Sequence, residues 1–265
     1  MQNQRKCHQN VWILSGTADG PILARKFLEY DYSVFISVVS HKAGNVYPIH
    51  NSLRIFTGKL NNDCEIRKFI HNHQINFVVD ATHPFAINIS LILKKACQVI
   101  GLPIFKFRRI SENKSEGKII SDFKDIKADE IRNKNILLAV GSRALDEFAC
   151  FYTNLGANVF ARIIATPESI SRGLSSCVSN SKLAILNPSY PRKNNLESYL
   201  CNYWEIDFIL CRDSGGYSQK VWDEICLSSN IKLFLLMRPD LCESKLVFSN
   251  YDDLIRGIIN FNNIK

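Results

Sequence analysis

No apolar run in the 265-residue sequence approaches the length of about 20 residues that a membrane-spanning helix requires. The first apolar run, Val11 to Leu14, follows the polar segment Met1 to Asn10 and is too short for the core of a signal peptide. No membrane span is expected, and the cytoplasm is the expected location. The cysteines, at positions 7, 64, 97, 150, 177, 201, 211, 226 and 242, include no C-x-x-C pair and no regular spacing. No metal site is therefore expected. The thiols are expected to be reduced and buried, several of them lying in apolar patterns such as those around Cys97 and Cys211. A dense basic tract is also missing. Lys and Arg outnumber Asp and Glu by 33 to 25, for a net charge of +8, but they are scattered and no aromatic-basic module accompanies them. That pattern argues against nucleic acid and for an anionic small molecule attracted by the summed surface field. Nor can a Ser-His-Asp or Cys-His set be assembled at recognisable spacing, and no pair of carboxylates stands out, which disfavours a hydrolase.

What is present is a globular composition, 46% hydrophobic and 22% charged, in a chain long enough for two modest domains. Val11 to Leu14 reads as a strand that ends in Ser15-Gly16-Thr17-Ala18-Asp19-Gly20-Pro21, with Ile22, Leu23, Phe27 and Leu28 on one side of a following helix. A strand, a glycine turn and a helix let the backbone approach a phosphate and seat it on the helix N-terminus. The three-glycine dinucleotide fingerprint is absent, since only Gly16 and Gly20 remain. Asp19 is expected to cap the helix, because a carboxylate set directly against a pyrophosphate would be repelled. Ser33 to Val39 is a second strand ending in Ser40-His41-Lys42. Hydroxyl and basic groups stand there where an NAD-specific site carries an acid, which suits a 2′-phosphate; a plain polar loop is the alternative. Leu53 to Phe56 leads through Thr57-Gly58-Lys59 to a helix from Asp63 to Asn72. Asn76 to Ala81 then runs into Thr82-His83-Pro84. The apolar residues Phe85, Ala86, Ile89, Ile92, Leu93, Ala96, Cys97 and Ile100 follow at helical spacing, Gly101 stands as a left-handed cap, and Pro103 opens a fifth strand to Phe107. Ser111 to Gly117 reads as a linker.

A second series follows. Asn135 to Val140 is a strand, and Gly141-Ser142-Arg143 opens a helix containing Leu145 and Phe148. Ala157 to Ile164 is a strand carrying Arg162, and Thr166-Pro167-Glu168 starts another helix. Leu183 to Leu186 ends in Asn187-Pro188-Ser189-Tyr190-Pro191, Asp207 to Cys211 in Arg212-Asp213-Ser214-Gly215-Gly216, and Lys232 to Met237 in Arg238-Pro239. An amphipathic helix from Tyr251 to Phe261 closes the series. This alternation predicts α/β architecture with parallel, doubly wound sheets and right-handed crossovers, in two domains over 1–110 and 111–265, the second including the C-terminal helix. The polar turns at the carboxyl ends of the strands are placed to converge on an interdomain cleft.

Taken in order, these motifs resemble the precorrin-6A reductase family of cobalamin (corrin) biosynthesis over almost the whole chain. The resemblance rests on Gly16-Thr17-x-Asp19-Gly20 with Leu23-Ala24, on Thr57-Gly58-Lys59-Leu60, and most specifically on Asp80-Ala81-Thr82-His83-Pro84-Phe85-Ala86. Gly141-Ser142-Arg143, Ala161-Arg162, Thr166-Pro167-Glu168-Ser169-Ile170, Asp213-Ser214-Gly215 and Arg238-Pro239 follow in the family's order. The short turn at Thr57 to Leu60 is closer to the anaerobic-route members, which act on cobalt-precorrin-6A.

The resemblance implies two Rossmann-like domains with an interdomain cleft. It implies reduction of one double bond of (cobalt-)precorrin-6A, giving (cobalt-)precorrin-6B, by hydride from NADPH, with NADH as the alternative donor. Gly16, Thr17, Ser40, Lys42, Thr82, Gly141, Ser142 and Arg143 would contact the cofactor. Arg162, Arg212, Asp213, Ser214 and Gly215 would contact the carboxylate-rich tetrapyrrole, and Thr82 and His83 would contact the nicotinamide, its ribose or the edge of the substrate. The conjugated imine system of such a macrocycle is already electrophilic, so the protein's main task would be positioning. Plainer roles compete at some positions: His83 as a helix cap ahead of Pro84, Asp80 as a tie to the turn's backbone amides, Arg143 and Arg162 as surface ion-pair residues. The chain departs from the family pattern with Ser15 before Gly16 in place of a second glycine, Asn187-Pro188-Ser189-Tyr190 in place of Gly-Pro-Phe, and Arg212 in place of Lys. The alternative function is a catalytically weak or inactive NADP(H)-binding protein of the same fold. The choice between monomer and homodimer is left undetermined.

Overall fold

The computed structural model describes residues 9–111, 117–187, 196–239 and 246–264; the departures at Pro188 to Tyr190 and most of the Ser111 to Gly117 linker lie outside them. The first stretch of chain alternates β1 (Asn10–Ser15), α1 (Asp19–Glu29), β2 (Ser33–Val38), α2 (His41–Gly44), β3 (Leu53–Thr57), α3 (Asp63–Asn72), β4 (Phe77–Ala81), α4 (Ile87–Ile100) and β5 (Ile104–Phe107). Local chemistry sets these limits. Asn62 starts α3 by accepting a hydrogen bond from the Glu65 amide, and Gly101, at φ 66°, ends α4 as its pattern predicts.

The second stretch runs β6 (Lys118–Ile120), α5 (Ala128–Ile131), β7 (Asn135–Ala139), α6 (Ser142–Asn154), β8 (Asn158–Ile163), α7 (Pro167–Leu174), β9 (Leu183–Ile185), α8 (Leu196–Tyr203), β10 (Phe208–Arg212), α9 (Tyr217–Ser229) and β11 (Lys232–Leu236). Thr166 caps α7 and Pro167 takes its first position, as the sequence predicts. The chain ends with β12 (Val247–Phe248) and α10 (Tyr251–Ile264).

Two six-stranded sheets result, in the orders β12-β5-β4-β1-β2-β3 and β6-β11-β10-β7-β8-β9, with every strand pair parallel. In each, the first strand of a βαβ series lies centrally, two strands extend to one edge, and the chain then crosses to the other side. That is the Rossmann-like order, with its topological switch between β1 and β4 in one sheet and between β7 and β10 in the other. The sheets are hydrophobic on both faces, because helices cover both.

The expected division is corrected at the C-terminus. The compact units are residues 1–110 with 239–265, and residues 111–238. β12 pairs with β5, Val247 opposite Lys106 and Phe248 opposite Phe107, and α10 buries Leu254, Ile255 and Ile258 in the first unit's core. An amphipathic pattern announces that a helix has an apolar face, but not which sheet receives it. The sixth strand of the second sheet comes instead from β6, which precedes its series and pairs with β11.

The cysteines need a correction too. Cys97, Cys201, Cys211 and Cys226 are buried free thiols, and burial pushes Cys97, Cys201 and Cys226 up to about 12, which makes them poor nucleophiles. Cys64 is exposed, and Cys150 and Cys177, 27 residues apart in sequence, form a disulfide with Cα atoms 5.7 Å apart. Packing of α6 beside α7 brings the pair together, which sequence spacing could not reveal. Cys7 and Cys242 lie outside the described residues. Among the described residues, no helix is long and apolar enough to cross a membrane.

Candidate functional site

In the first unit β1 and β4 are neighbours, with Ser15 opposite Ala81, so the turns that follow them adjoin at the switch point. A methyl group placed on Gly16 would lie 3.6 Å from the His83 backbone nitrogen and would fill the space a phosphate needs to reach the turn. Gly16-Thr17 and Thr82-His83 are thus brought together, as expected. The turn leads directly into α1, whose N-cap, Ala18, offers no side-chain cap. These features fit a nucleotide phosphate against the backbone.

Asp19 does not cap α1. It occupies the first helical position, and its buried carboxylate accepts from the Thr17 hydroxyl (2.8 Å), the Arg109 Nε (2.7 Å) and the Tyr251 hydroxyl (2.6 Å). Burial, and then the bond to Asp19, push the Tyr251 hydroxyl well above its usual range. The Arg109 charge offsets the carboxylate beside the turn, which removes the repulsion anticipated from the sequence. Ser15 turns inward, its Oγ 3.3 Å from the Thr17 carbonyl, and a methyl on Gly20 would collide with Ser15 Oγ and the Tyr47 hydroxyl. The departure at Ser15 is therefore packed against Gly20, and Ser15 is buried.

The Asp80 carboxylate is only 2% exposed. One oxygen accepts from the Thr82 amide (3.0 Å) and the Thr82 hydroxyl (2.7 Å); the other accepts from the Ser90 hydroxyl (2.8 Å) and the Lys106 ammonium (2.7 Å). The expected tie to backbone amides is present at one amide, that of Thr82, with three side chains added. The Thr82 side chain, expected to contact the nicotinamide, its ribose or the substrate edge, is buried and bonded within this cluster. His83 is half-buried and accepts at Nδ1 from the Phe85 amide (3.2 Å), whereas the N-cap of α4 is Ala86, so His83 does not cap that helix. At the end of β2, Ser40 caps the one-turn α2 by accepting from the Ala43 amide (3.3 Å), and both Ser40 and Lys42 are exposed.

In the second unit the corresponding neighbours are β7 and β10, Ala139 opposite Cys211. Gly141 has φ 81°, and a methyl there would come 3.4 Å from Arg212 Nη1, so the glycine turn and this arginine share the switch point. Burial, and then the positive charge of Arg143, hold the Arg212 guanidinium below its usual range. Gly141, Arg143 and Arg212 therefore group at one switch point, although the first two were expected at the cofactor and Arg212 at the substrate, while the Ser142 hydroxyl donates to Ser169 (3.1 Å).

The remaining expected substrate contacts are engaged within the unit. Arg162 lies 3.8 Å from the buried Glu197 of α8. Asp213 is 8% exposed and accepts from Arg238 Nε (3.0 Å), Arg238 Nη2 (3.1 Å) and the Ser111 hydroxyl. Burial alone would raise the Asp213 carboxyl, but the bonds from Arg238 and Ser111 outweigh it and hold the group below the ordinary carboxylate range. The Ser214 hydroxyl accepts from the Gly216 amide (3.2 Å), and the Gly215 amide donates to Gln219 (2.6 Å). Asp213, Ser214 and Gly215 are thus a braced turn. The reason is electrostatic, since a buried carboxylate needs charge and donors around it.

Lys106, Ser90, Arg109, Tyr251 and Ser111 were not singled out from the sequence. Only Lys106 left a signal there, as a lone charge inside the strand Ile104-Phe105-Lys106-Phe107.

The profile of the family described as "Precorrin-6x reductase CbiJ/CobK" matches residues 10–258. The chain is 27% identical over 250 residues to the cobalt-precorrin-6A reductase of Synechocystis sp., covering 92% of each sequence. It is 26% identical over 237 residues to the precorrin-6A reductase of Mycobacterium tuberculosis, covering 86% of this chain and 88% of that one. A solved structure titled "CobK precorrin-6A reductase" superposes with a TM-score of 0.74 at 15% identity, over 95% of this chain and 96% of the other, a likeness of fold.

Proposed function

Because the chain belongs to the precorrin-6x reductase family CbiJ/CobK, we infer that it reduces one double bond of (cobalt-)precorrin-6A, yielding (cobalt-)precorrin-6B in cobalamin biosynthesis. The observation that carries this reading at the level of residues is the meeting of Gly16-Thr17 with Thr82-His83 at the β1/β4 switch. NADPH is the donor we propose, and when bound it supplies the hydride. The Gly16-Thr17 backbone and the start of α1 hold its diphosphate, and Ser40 and Lys42, on the neighbouring strand end, hold its 2′-phosphate. His83 contacts the nicotinamide side, while Thr82 holds the turn. Gly141, Ser142 and Arg143 act with Arg212 as an anion-binding group for substrate carboxylates, two guanidinium groups being suited to fixed carboxylate geometry. Arg162 and Asp213 serve the scaffold. The proton that completes the reduction can come from solvent, so no protein acid is required.

The test is an anaerobic assay in which precorrin-6A and cobalt-precorrin-6A are each offered with NADPH and with NADH. Nucleotide oxidation with a product heavier by two hydrogens, and a preference for NADPH, is expected. NADPH binding without oxidation of either substrate would instead identify a catalytically inactive member. Replacing Lys42 with Glu should raise the KM for NADPH about tenfold, the equivalent of one ion pair of about 1.4 kcal/mol, and leave that for NADH unchanged.

A further inference from the structure

The Lys106 ammonium stands 2.7 Å from Asp80 Oδ2, 3.2 Å from Ser90 Oγ and 3.4 Å from Thr82 Oγ1. An ammonium has three donors and no acceptor, so this arrangement matches each donor to an oxygen on a different side chain. Thr82 and Ser90 close the cluster with a hydroxyl–hydroxyl contact of 3.0 Å. The cluster ties three elements together: the end of β4 through Asp80 and Thr82, the first turn of α4 through Ser90, and β5 through Lys106. Its member Thr82 directly precedes His83, whose ring is held by the Phe85 amide and whose backbone adjoins Gly16.

A buried carboxylate at this point is costly, and a neutral Asn could satisfy the Thr82 amide at lower cost. What the charged pair adds is stiffness. Four charge-assisted or hydroxyl bonds to one carboxylate leave the turn a single low-energy arrangement, whereas a neutral cluster has several rotamers of similar energy. The half-buried histidine inherits that fixed position.

We propose that Lys106 is a positioning residue for the reduction: its ammonium locks the Asp80–Thr82–Ser90 cluster and so fixes His83 against the Gly16 turn. The inference rests on His83 standing at the nicotinamide, as read above. It acts through that turn alone, and Lys106 touches neither reactant.

The test compares wild type with Ser90→Ala and with the double variant Asp80→Asn/Lys106→Met. The serine variant keeps both charges and removes one partner of the ammonium. The double variant removes both charges together, so that neither is left buried alone. Thermal midpoint, NADPH binding by titration, and the single-turnover rate of hydride transfer with its deuterium isotope effect are measured for each. Wild-type nucleotide binding is expected in both, with the hydride-transfer rate falling about 3- to 10-fold in Ser90→Ala and about 10- to 100-fold in the double variant, and with a larger isotope effect as the chemical step becomes limiting. A purely structural cluster would instead change the thermal midpoint and leave the transfer rate of the folded protein alone. Wild-type transfer rates in folded Ser90→Ala or in the folded double variant would overturn the proposal. Absence of turnover in the wild type would overturn the assigned reaction itself, so the two failures are distinct.

Discussion

At His83 the Nδ1 atom accepts from the Phe85 amide, which places the ring proton on Nε2 and fixes the tautomer of the neutral ring. Replacing His83 with Ala should lower turnover by about 10- to 100-fold at an unchanged thermal midpoint, the scale of a lost orienting contact. Wild-type turnover would reduce His83 to a residue that steadies its turn. Gly20 poses a different constraint at the same scale. A methyl there meets Ser15 Oγ and the Tyr47 hydroxyl, so Gly20→Ala should cost about 1–3 kcal/mol in chemical denaturation, as overpacking does. Adding Ser15→Gly should recover part of that loss, because it removes one of the two collisions. Equal stability of the single and double variants would show that Tyr47 alone sets the limit.

Elements in this protein are held, beside the carboxyl ends of the strands, by buried carboxylates. In the first unit Asp19 ties α1 to Arg109, just beyond β5, and to Tyr251 at the start of α10. In the second unit Asp213, after β10, ties Ser111 to Arg238, the first and last residues of that unit. Asp213 titrates below its unfolded value, so it binds protons more weakly folded than unfolded. Its contribution is complete above the unfolded carboxyl pKa of about 3.9 and is lost as pH falls through the lower folded value. Asp213→Asn should therefore lower stability by about 1.5–3 kcal/mol at neutral pH, the scale of hydrogen bonds to a charged group, and flatten the acid limb of the stability curve below about pH 4. Denaturation midpoints measured from pH 2 to 7 test this, and an acid limb identical to wild type would contradict it.

Across the whole chain, the first unit is completed by its last residues. Leu254, Ile255 and Ile258 of α10 lie in the first unit's core, and burying side chains of this size contributes about 1.5–3 kcal/mol each, together close to the whole stability of an ordinary domain. A chain ended at residue 245 should lose hydrogen-exchange protection in β1, β4 and β5 while β7, β8 and β10 keep theirs. Loss of protection in the second sheet instead would contradict the division of the chain into these two units.

The strands apart from β6 and β12, most helices and the order of the glycine and polar turns were legible in the sequence because each depends on local pattern. Short continuous apolar runs mark the buried strands, Pro167 and Thr166 mark a helix start, Gly101 marks an end, and Asp80 to Ala86 is a contiguous motif. Parallel strands joined by helices then force Gly16 and His83 to one edge of the sheet. Tertiary structure alone decided which charges have partners. Thr82, Arg162 and Asp213 read as ligand contacts in sequence, yet they engage Asp80, Glu197 and Arg238. Arg143 and Arg212, equally basic in sequence, are gathered beside Gly141, at the switch point. The identity of a buried charge's partner depends on strand register and on the face a helix presents. Both are contacts between residues far apart in the chain, so Lys106 beneath Asp80 and α10 on the first sheet could be found only in the folded molecule.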